Sequence, residues 1–205
     1  SGTNCRQSLF NHRSTWYTKL NKATIMTVIS RANSSAGNRK IFTTSVWVKR
    51  ANGISGGNGS IFCVGAASSD SGKFRFVIDS SHRVRIEGGS TTYRVSEAIL
   101  TDQFGWYHLV CAVDSTDSNA NNRVRAWVNG DQITTWTTNN TMSQDQNTPV
   151  NDVGQTHNIN SESGGGSGNF KGYFAHFHHV DGTAYPPTTF GETDSTTGMW
   201  KPKAD

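Results

Sequence analysis

Short apolar and aromatic runs alternate along this chain with clusters of Gly, Asn and Ser, and no helical period of about 3.6 residues takes hold. The runs that read as strands are residues 23–30, 41–50, 60–66, 73–79, 82–87, 91–95, 105–114, 123–128, 132–136 and 170–180. Between them stand turn signals such as Asn52-Gly53, Ser80-Ser81, Gly88-Gly89 and Asn129-Gly130. Asn129-Gly130 sits between two β-branched and aromatic runs, which predicts a two-residue hairpin, because a type I′ turn needs positive φ at both central positions. Many short strands at this spacing argue an all-β fold, an antiparallel two-sheet sandwich or a barrel. A single helical turn is expected, at residues 187–190.

The 205 residues suit one sandwich domain, 1–205, with residues 1–30 as an atypical entry segment and 183–205 as a C-terminal extension. That length buries a substantial two-layer core. The Ser1-Gly2 start reads as an expression scar or as the edge of a piece cut from a longer fibre chain. Charged residues make up only 17%, against about 25% in average soluble domains, and Ser, Thr, Asn and Gly supply the polar surface instead. A net charge of +4 is spread too thinly for a nucleic-acid reader, which concentrates its Lys and Arg. No apolar run approaches the roughly 20 residues of a membrane span. The first residues lack the apolar centre of a secretory signal.

Cys5, Cys63 and Cys111 are odd in number and widely separated. Cys63 and Cys111 fall inside apolar strand patterns and read as buried free thiols, with a Cys63–Cys111 bridge as the alternative. Two polar stretches, 139–151 and 157–169, break the strand rhythm, and loops of that length are usually functional or mobile. The second holds the glycine-rich 163–168 run, a flexible connection by composition.

On the strands around residues 73–95, Arg75, Arg83, Arg85 and Arg94 alternate with Phe74, Phe76, Val84, Ile86 and Val95. Alternation sets the guanidinium groups opposite the core face, which predicts one positive patch, joined by Lys73 and His82. The functional reading is recognition of an acidic glycan or a phosphate by the planar guanidinium fork. The plain alternative is a solvated face on which Asp79 and Glu87 pair with the arginines. Trp136, among hydroxyls and amides in Thr134-Thr-Trp-Thr-Thr-Asn-Asn140, is the preferred stacking residue for a sugar, with Tyr93 and Arg94 as a second pair. Trp136 folding back to cap the sandwich is the competing reading. His176 and His178, two apart on a strand, share a face and with Asp181 nearby are weak candidates for a metal. The plain alternative is a pair of polar positions on a sheet edge. Asp152, Glu162 and Asp181 form no ordered calcium loop, so no cofactor is expected.

Three segments, in order, carry a family resemblance: Phe42-Thr-Thr-Ser-Val-Trp-Val-Lys49, Trp106-Tyr-His-Leu-Val-Cys-Ala-Val-Asp114 and Val124-Arg-Ala-Trp-Val-Asn-Gly130. Together they resemble the laminin-G-like, concanavalin-A-type jelly roll. The entry at 31–39, the closing strand, Asp181-Gly182 and Phe190-Gly-Glu192 resemble the version found in virion proteins of tailed bacteriophages. The resemblance spans residues 30–203; residues 11–28 depart from it. It implies a non-catalytic binding or structural module of a virion (tail fibre, spike or capsid surface). Its partners would be host-surface glycans or neighbouring virion proteins, with oligomerisation in a fibre. A free lectin-like domain at a bacterial surface or outside the cell is the alternative. Some members of the wider superfamily hydrolyse glycans with paired carboxylates. Glu87, Glu97, Glu162 and Glu192 are scattered here, and no enzyme is expected.

Overall fold

The computed structural model describes residues 15–18, 24–25, 28–50, 58–65, 72–162 and 168–204. Cys5, the Asn52-Gly53 turn and residues 163–167 lie outside them. The first strands along the chain are β1 (Thr15–Thr18), β2 (Thr24–Ile25), β3 (Ile29–Ala32), β4 (Ile41–Arg50) and β5 (Gly59–Val64). Next come β6 (Phe74–Ile78), β7 (Arg83–Gly88), β8 (Thr91–Ile99), β9 (Tyr107–Asp114), β10 (Val124–Val128) and β11 (Asp131–Gln132). The last are β12 (Trp136–Asn139), β13 (Thr156–Ile159), β14 (Gly172–Asp181), β15 (Gly191–Thr193) and β16 (Trp200–Pro202).

The first sheet has the order β1-β14-β4-β9-β10-β11, with β2 also on β14, and the second has β12-β8-β7-β6-β5-β13-β3. The ladders of both sheets are antiparallel. The two sheets pack face to face as the expected sandwich. Phe42, Val46 and Val48 of β4 and Leu109, Cys111 and Val113 of β9 meet Phe62, Phe74, Phe76 and Ile86 of the second sheet. Each fully buried side chain of this size contributes roughly 1.5–3 kcal/mol. The Phe42 and Phe74 rings meet edge to face at 5.1 Å, a contact that fixes how the sheets sit on one another. The Asn129-Gly130 hairpin forms as expected, with φ of 50° and 91°. Cys63 and Cys111 are free and buried, and burial pushes the Cys63 thiol up to about 12 and raises the Cys111 thiol as well.

The structure departs from the sequence reading in three strand and loop segments. Run 132–136 splits into β11 and β12, which belong to different sheets. Residues 156–159 form β13 between β5 and β3, where 157–159 are expected from sequence to open a polar loop; Asn158 is buried and accepts a hydrogen bond from Ser30 Oγ at 2.6 Å. Stretch 139–151 is tied to the core: Met142 and Val150 are buried, and Met142 O accepts from Arg123 Nη1 at 2.9 Å. Tyr93 Oη accepts from Gln146 Nε2 at 2.6 Å in the same segment.

The C-terminal stretch, read from sequence as an extension, is a third layer on the outer face of the first sheet. Ala184 and Phe190 pack on Val110, Ala112 and Trp127. Thr43 Oγ1 donates to Thr183 O at 2.8 Å and accepts from Tyr185 N–H at 2.8 Å. The β15–β16 hairpin brings in Trp200, whose Nε1–H donates to His108 Nδ1 at 2.9 Å. Trp47 stacks on His108 with ring centroids 5.0 Å apart.

Candidate functional site

With the first sheet covered by residues 183–204, the outer face of the second sheet is the polar surface to consider. Phe74, Phe76, Val84 and Ile86 face the core, so Arg75, Arg83, Arg85 and Glu87 face outward, as the period of two requires. Cross-strand pairing lines up Arg75, Glu87 and Thr92 across β6, β7 and β8. Arg85 stands two residues along β7 from Glu87, on the same face.

Arg75, Arg85, Glu87, Thr92 and Glu162 form a continuous lattice, and Arg83 stands apart with Asp79. Arg75 Nη1 donates to Glu162 Oε1 at 2.7 Å, and Arg75 Nη2 pairs with Glu87. Arg85 pairs with Glu87 Oε1 and donates through Nη2 to Thr92 Oγ1 at 3.0 Å. Arg83 pairs with Asp79 Oδ2 at 2.9 Å. Burial pulls the Arg75 guanidinium pKa down, but Glu87 and Glu162 more than offset this and leave it raised above the ordinary value. Next to the lattice is an open polar depression of about 170 Å³, lined by Lys73, Arg75, Arg85, Glu87, Ser90 and Thr92. Its rim is the tight β7–β8 turn. Gly89 takes a φ of 62° there, and a Cβ on Gly88 would fall 2.5 Å from the Tyr93 ring. The chemistry offered is a fixed array of guanidinium donors, a carboxylate and hydroxyls, suited to holding a polar ligand.

The arginine row is thus three arginines, not four. Ile86 pairs with Arg94 and Glu87 with Thr92, so Tyr93 is an extra residue in β8. This bulge shifts Arg94 into register with a core residue. Arg94 is 2% exposed and donates to Tyr93 O at 3.2 Å, to Asn121 O at 3.4 Å and to Asn140 O at 2.5 Å. Its guanidinium lies 5.7 Å from the centre of the Trp136 ring. Tyr93 is itself 2% exposed, and burial raises its phenol. Arg94 and Tyr93 therefore present no surface to a ligand. Lys73, expected in the patch, and Glu87, an arginine partner in the plain alternative, both belong to the array, and Thr92 and Glu162 complete it. Only the folded chain brings these last two to the arginines.

Trp136 is half-buried and packs against the main core. Replacing it with Ala is expected to lower stability by about 2–4 kcal/mol, somewhat less than a fully buried Trp, and to leave ligand adsorption intact. Urea melts alongside an adsorption assay check this; loss of adsorption at unchanged stability would restore Trp136 as the anchor. A large aromatic that does face solvent is Phe104, 84% exposed. Its N–H donates to Asp102 Oδ1 at 2.7 Å, which fixes the turn that presents it. No turn or strand signal singles it out in the sequence.

His176, His178 and Asp181 do not converge. A bulge lies between Ala175 and His178, with His176 at a φ of 46°, and both imidazoles stay near His108, whose pKa they help burial to depress. His178 packs on Phe190, with ring centroids 5.4 Å apart. Asp181 Oδ1 accepts from Asn38 N–H at 2.7 Å and from Asn151 Nδ2 at 2.9 Å. Asp152 pairs with Arg39 at 3.2 Å and Glu162 with Arg75, so those acids are separated as well. Among the described residues no group of three or more His, Cys, Asp or Glu is placed to hold a metal ion.

Comparison with known proteins agrees with this architecture. Domain 4 of AbnA, a GH43 extracellular arabinanase from Geobacillus stearothermophilus, solved in complex with arabinotriose, is similar at a TM-score of 0.55 and 14% identity. The match covers 86% of this chain and 79% of that one. Trypanosoma rangeli sialidase is similar at a TM-score of 0.51 and 12% identity, over 89% of this chain and 30% of that one. A search of curated proteins finds no match. The Laminin_G_3 family model, described as the concanavalin A-like lectin/glucanases superfamily, matches residues 26–185. This chain belongs to that superfamily.

Proposed function

We propose that this domain is a non-catalytic glycan-binding module whose ligand rests on the outer face of the second sheet, over the depression beside Arg75, Arg85 and Glu87. The observation that carries this reading is the lattice itself. Its donors and acceptors are already held by neighbours, so a sugar would be met by groups that lose little freedom on binding. The arabinotriose held by domain 4 of AbnA supports a saccharide as the ligand of a sandwich of this kind. The two carboxylates nearest the depression, Glu87 and Glu162, both contact Arg75. That arrangement serves positioning and differs from the proton-donor and nucleophile pair of glycoside hydrolysis. The setting we infer is a phage virion, supported by the resemblance of residues 30–203; capsid and portal genes beside its own gene are the expected finding.

A glycan array tests the binding reading. The intact protein is expected to retain at least one oligosaccharide, and Arg85→Ala to weaken that binding by at least about tenfold with little change in melting temperature. Arg85 suits the test because it is the more exposed partner, 31% against 6% for Glu87, and Arg75 still pairs with Glu87 once Arg85 is gone. Undiminished binding by Arg85→Ala would move the site off this face.

A further inference from the structure

We infer that the ligand is a linear oligosaccharide chain, laid along β7 from the depression to Arg83 and Ile99; this deepens the glycan-binding reading above and rests on it. The depression is about 170 Å³, below the roughly 300–1,000 Å³ of sites that enclose a small ligand. A sugar there is held from one side, and its further contacts must come from the surface around it. Across the sheet that surface closes. Cys63 stands opposite Arg75, and Val77 and Val95 stand opposite Arg85, and all three are buried.

Along β7 the surface stays open. Arg83 lies two residues before Arg85 on the same outward face, so the strand rise puts it roughly 7 Å further along and about 13 Å from Glu87. Its side chain is 29% exposed. Pairing with β8 sets Ile99 beside it on that face, 51% exposed and outside the core. Thr137, also exposed, accepts from Arg83 Nη1 at 3.4 Å. This second cluster offers what an adjoining ring needs. Asp79 Oδ2 fixes the guanidinium through Nε at 3.0 Å and Nη2 at 2.9 Å, which leaves Nη1 turned to hydroxyls. Ile99 supplies an apolar flank, and the C–H face of a sugar ring laid on it releases water from both. Arg83 on Asp79 and Arg85 on Glu87 are thus two fixed guanidinium groups in line on one strand, each held before a ligand arrives. A span of about 13 Å is longer than a single sugar ring, so one ligand reaches both clusters only as a chain.

The test titrates the intact protein by calorimetry with linear α-1,5-arabino-, β-1,4-gluco- and β-1,4-galacto-oligosaccharides, each from dimer to hexamer. In at least one series the tetramer is expected to bind at least about tenfold tighter than the dimer. Arg83→Ala should bring the tetramer down to the affinity of the dimer, and Ile99→Ser should remove part of the gain. A circular dichroism melt of each variant separates misfolding from loss of binding. If Arg83→Ala melts early, Ile99→Ser, at an exposed position outside the core, carries the test in its place. Dimer and hexamer binding with equal affinity, lost in Arg85→Ala, would overturn the chain inference and leave the glycan site standing. A gain with length that survives both substitutions would overturn it as well. If no series binds at any length, this inference falls, and the glycan array on its own decides whether the face binds sugar at all.

Discussion

Stability is expected to be flat from pH 8 to pH 7 and then to fall by roughly 4 kcal/mol by pH 5, from two buried imidazoles alone. His108 and His179 are 0% and 4% exposed, and burial is the first cause that depresses each from 6.5 to about 3. Their hydrogen bonds define neutral rings. Trp200 Nε1–H donates to His108 Nδ1, so Nε2 carries the proton shared with Ser45 Oγ at 2.8 Å. Asn151 uses its Nδ2 on Asn38 O and Asp181, so its Oδ1 accepts from His179 Nε2 at 3.1 Å, and Thr44 Oγ1 meets Nδ1 at 3.0 Å.

The sign follows from where protons bind. Above about pH 6.5 neither state takes up a proton at these rings, and the contribution is constant. Below it the unfolded chain protonates both, while the folded chain resists down to about pH 3. Stability therefore drops by about 1.4 kcal/mol per pH unit per ring through that window. His157 is depressed by burial as well and adds in the same direction. Against a total of roughly 5–15 kcal/mol for a native domain, this is enough to bring the chain close to unfolding in mild acid. Urea melts at pH 8, 7, 6 and 5 read the effect directly. A stability that stays level to pH 5 would mean that the rings protonate without disturbing the fold.

The sequence made the sandwich legible because its signals are local. Alternation on β4 separates Phe42, Val46 and Val48 from Trp47, and β9 is apolar on both faces because each face is covered, one by the core and one by Phe190 and Ala184. Asn129-Gly130 names its turn type outright. What escaped is what register decides. A single inserted residue at Tyr93 turns Arg94 from an expected surface cation into a buried one holding three backbone carbonyls. Strand β13 was hidden because His and Asn are poor strand formers, and its pairing depends on contacts with β3 and β5 that are distant in sequence. Half of the candidate site was visible as the arginines. The carboxylates that hold them in place come from β7 itself and from residue 162, and only the folded chain brings Glu162 to Arg75.

Ending the chain at residue 185, where the family match stops, is expected to lower stability by at least about 3–5 kcal/mol, the scale for losing one buried aromatic anchor. For a domain of this size that is a fall in melting temperature of roughly 6–20 °C. The residues removed include Phe190, which packs on Val110, Ala112 and Trp127, and Trp200, which completes the hydrogen bonding of His108. Their loss would open an apolar strip on the outer face of the first sheet, so dye binding and concentration-dependent association should rise together. Two glycines show that this layer is built into the sandwich. A Cβ on Gly130 would fall 2.8 Å from the Trp200 ring, and one on Gly191 would fall 2.6 Å from it. Gly130 also needs its φ of 91° for the β10–β11 turn, so it serves the hairpin and the third layer at once. Gly191→Ala should therefore destabilise through the docking of Trp200, while Trp200→Ala in the same chain should remove most of that penalty, a coupling that a double-mutant cycle measures. Additive effects, together with a truncated chain that melts with the full one and binds no dye, would show that residues 186–205 rest on the sheet without supporting it.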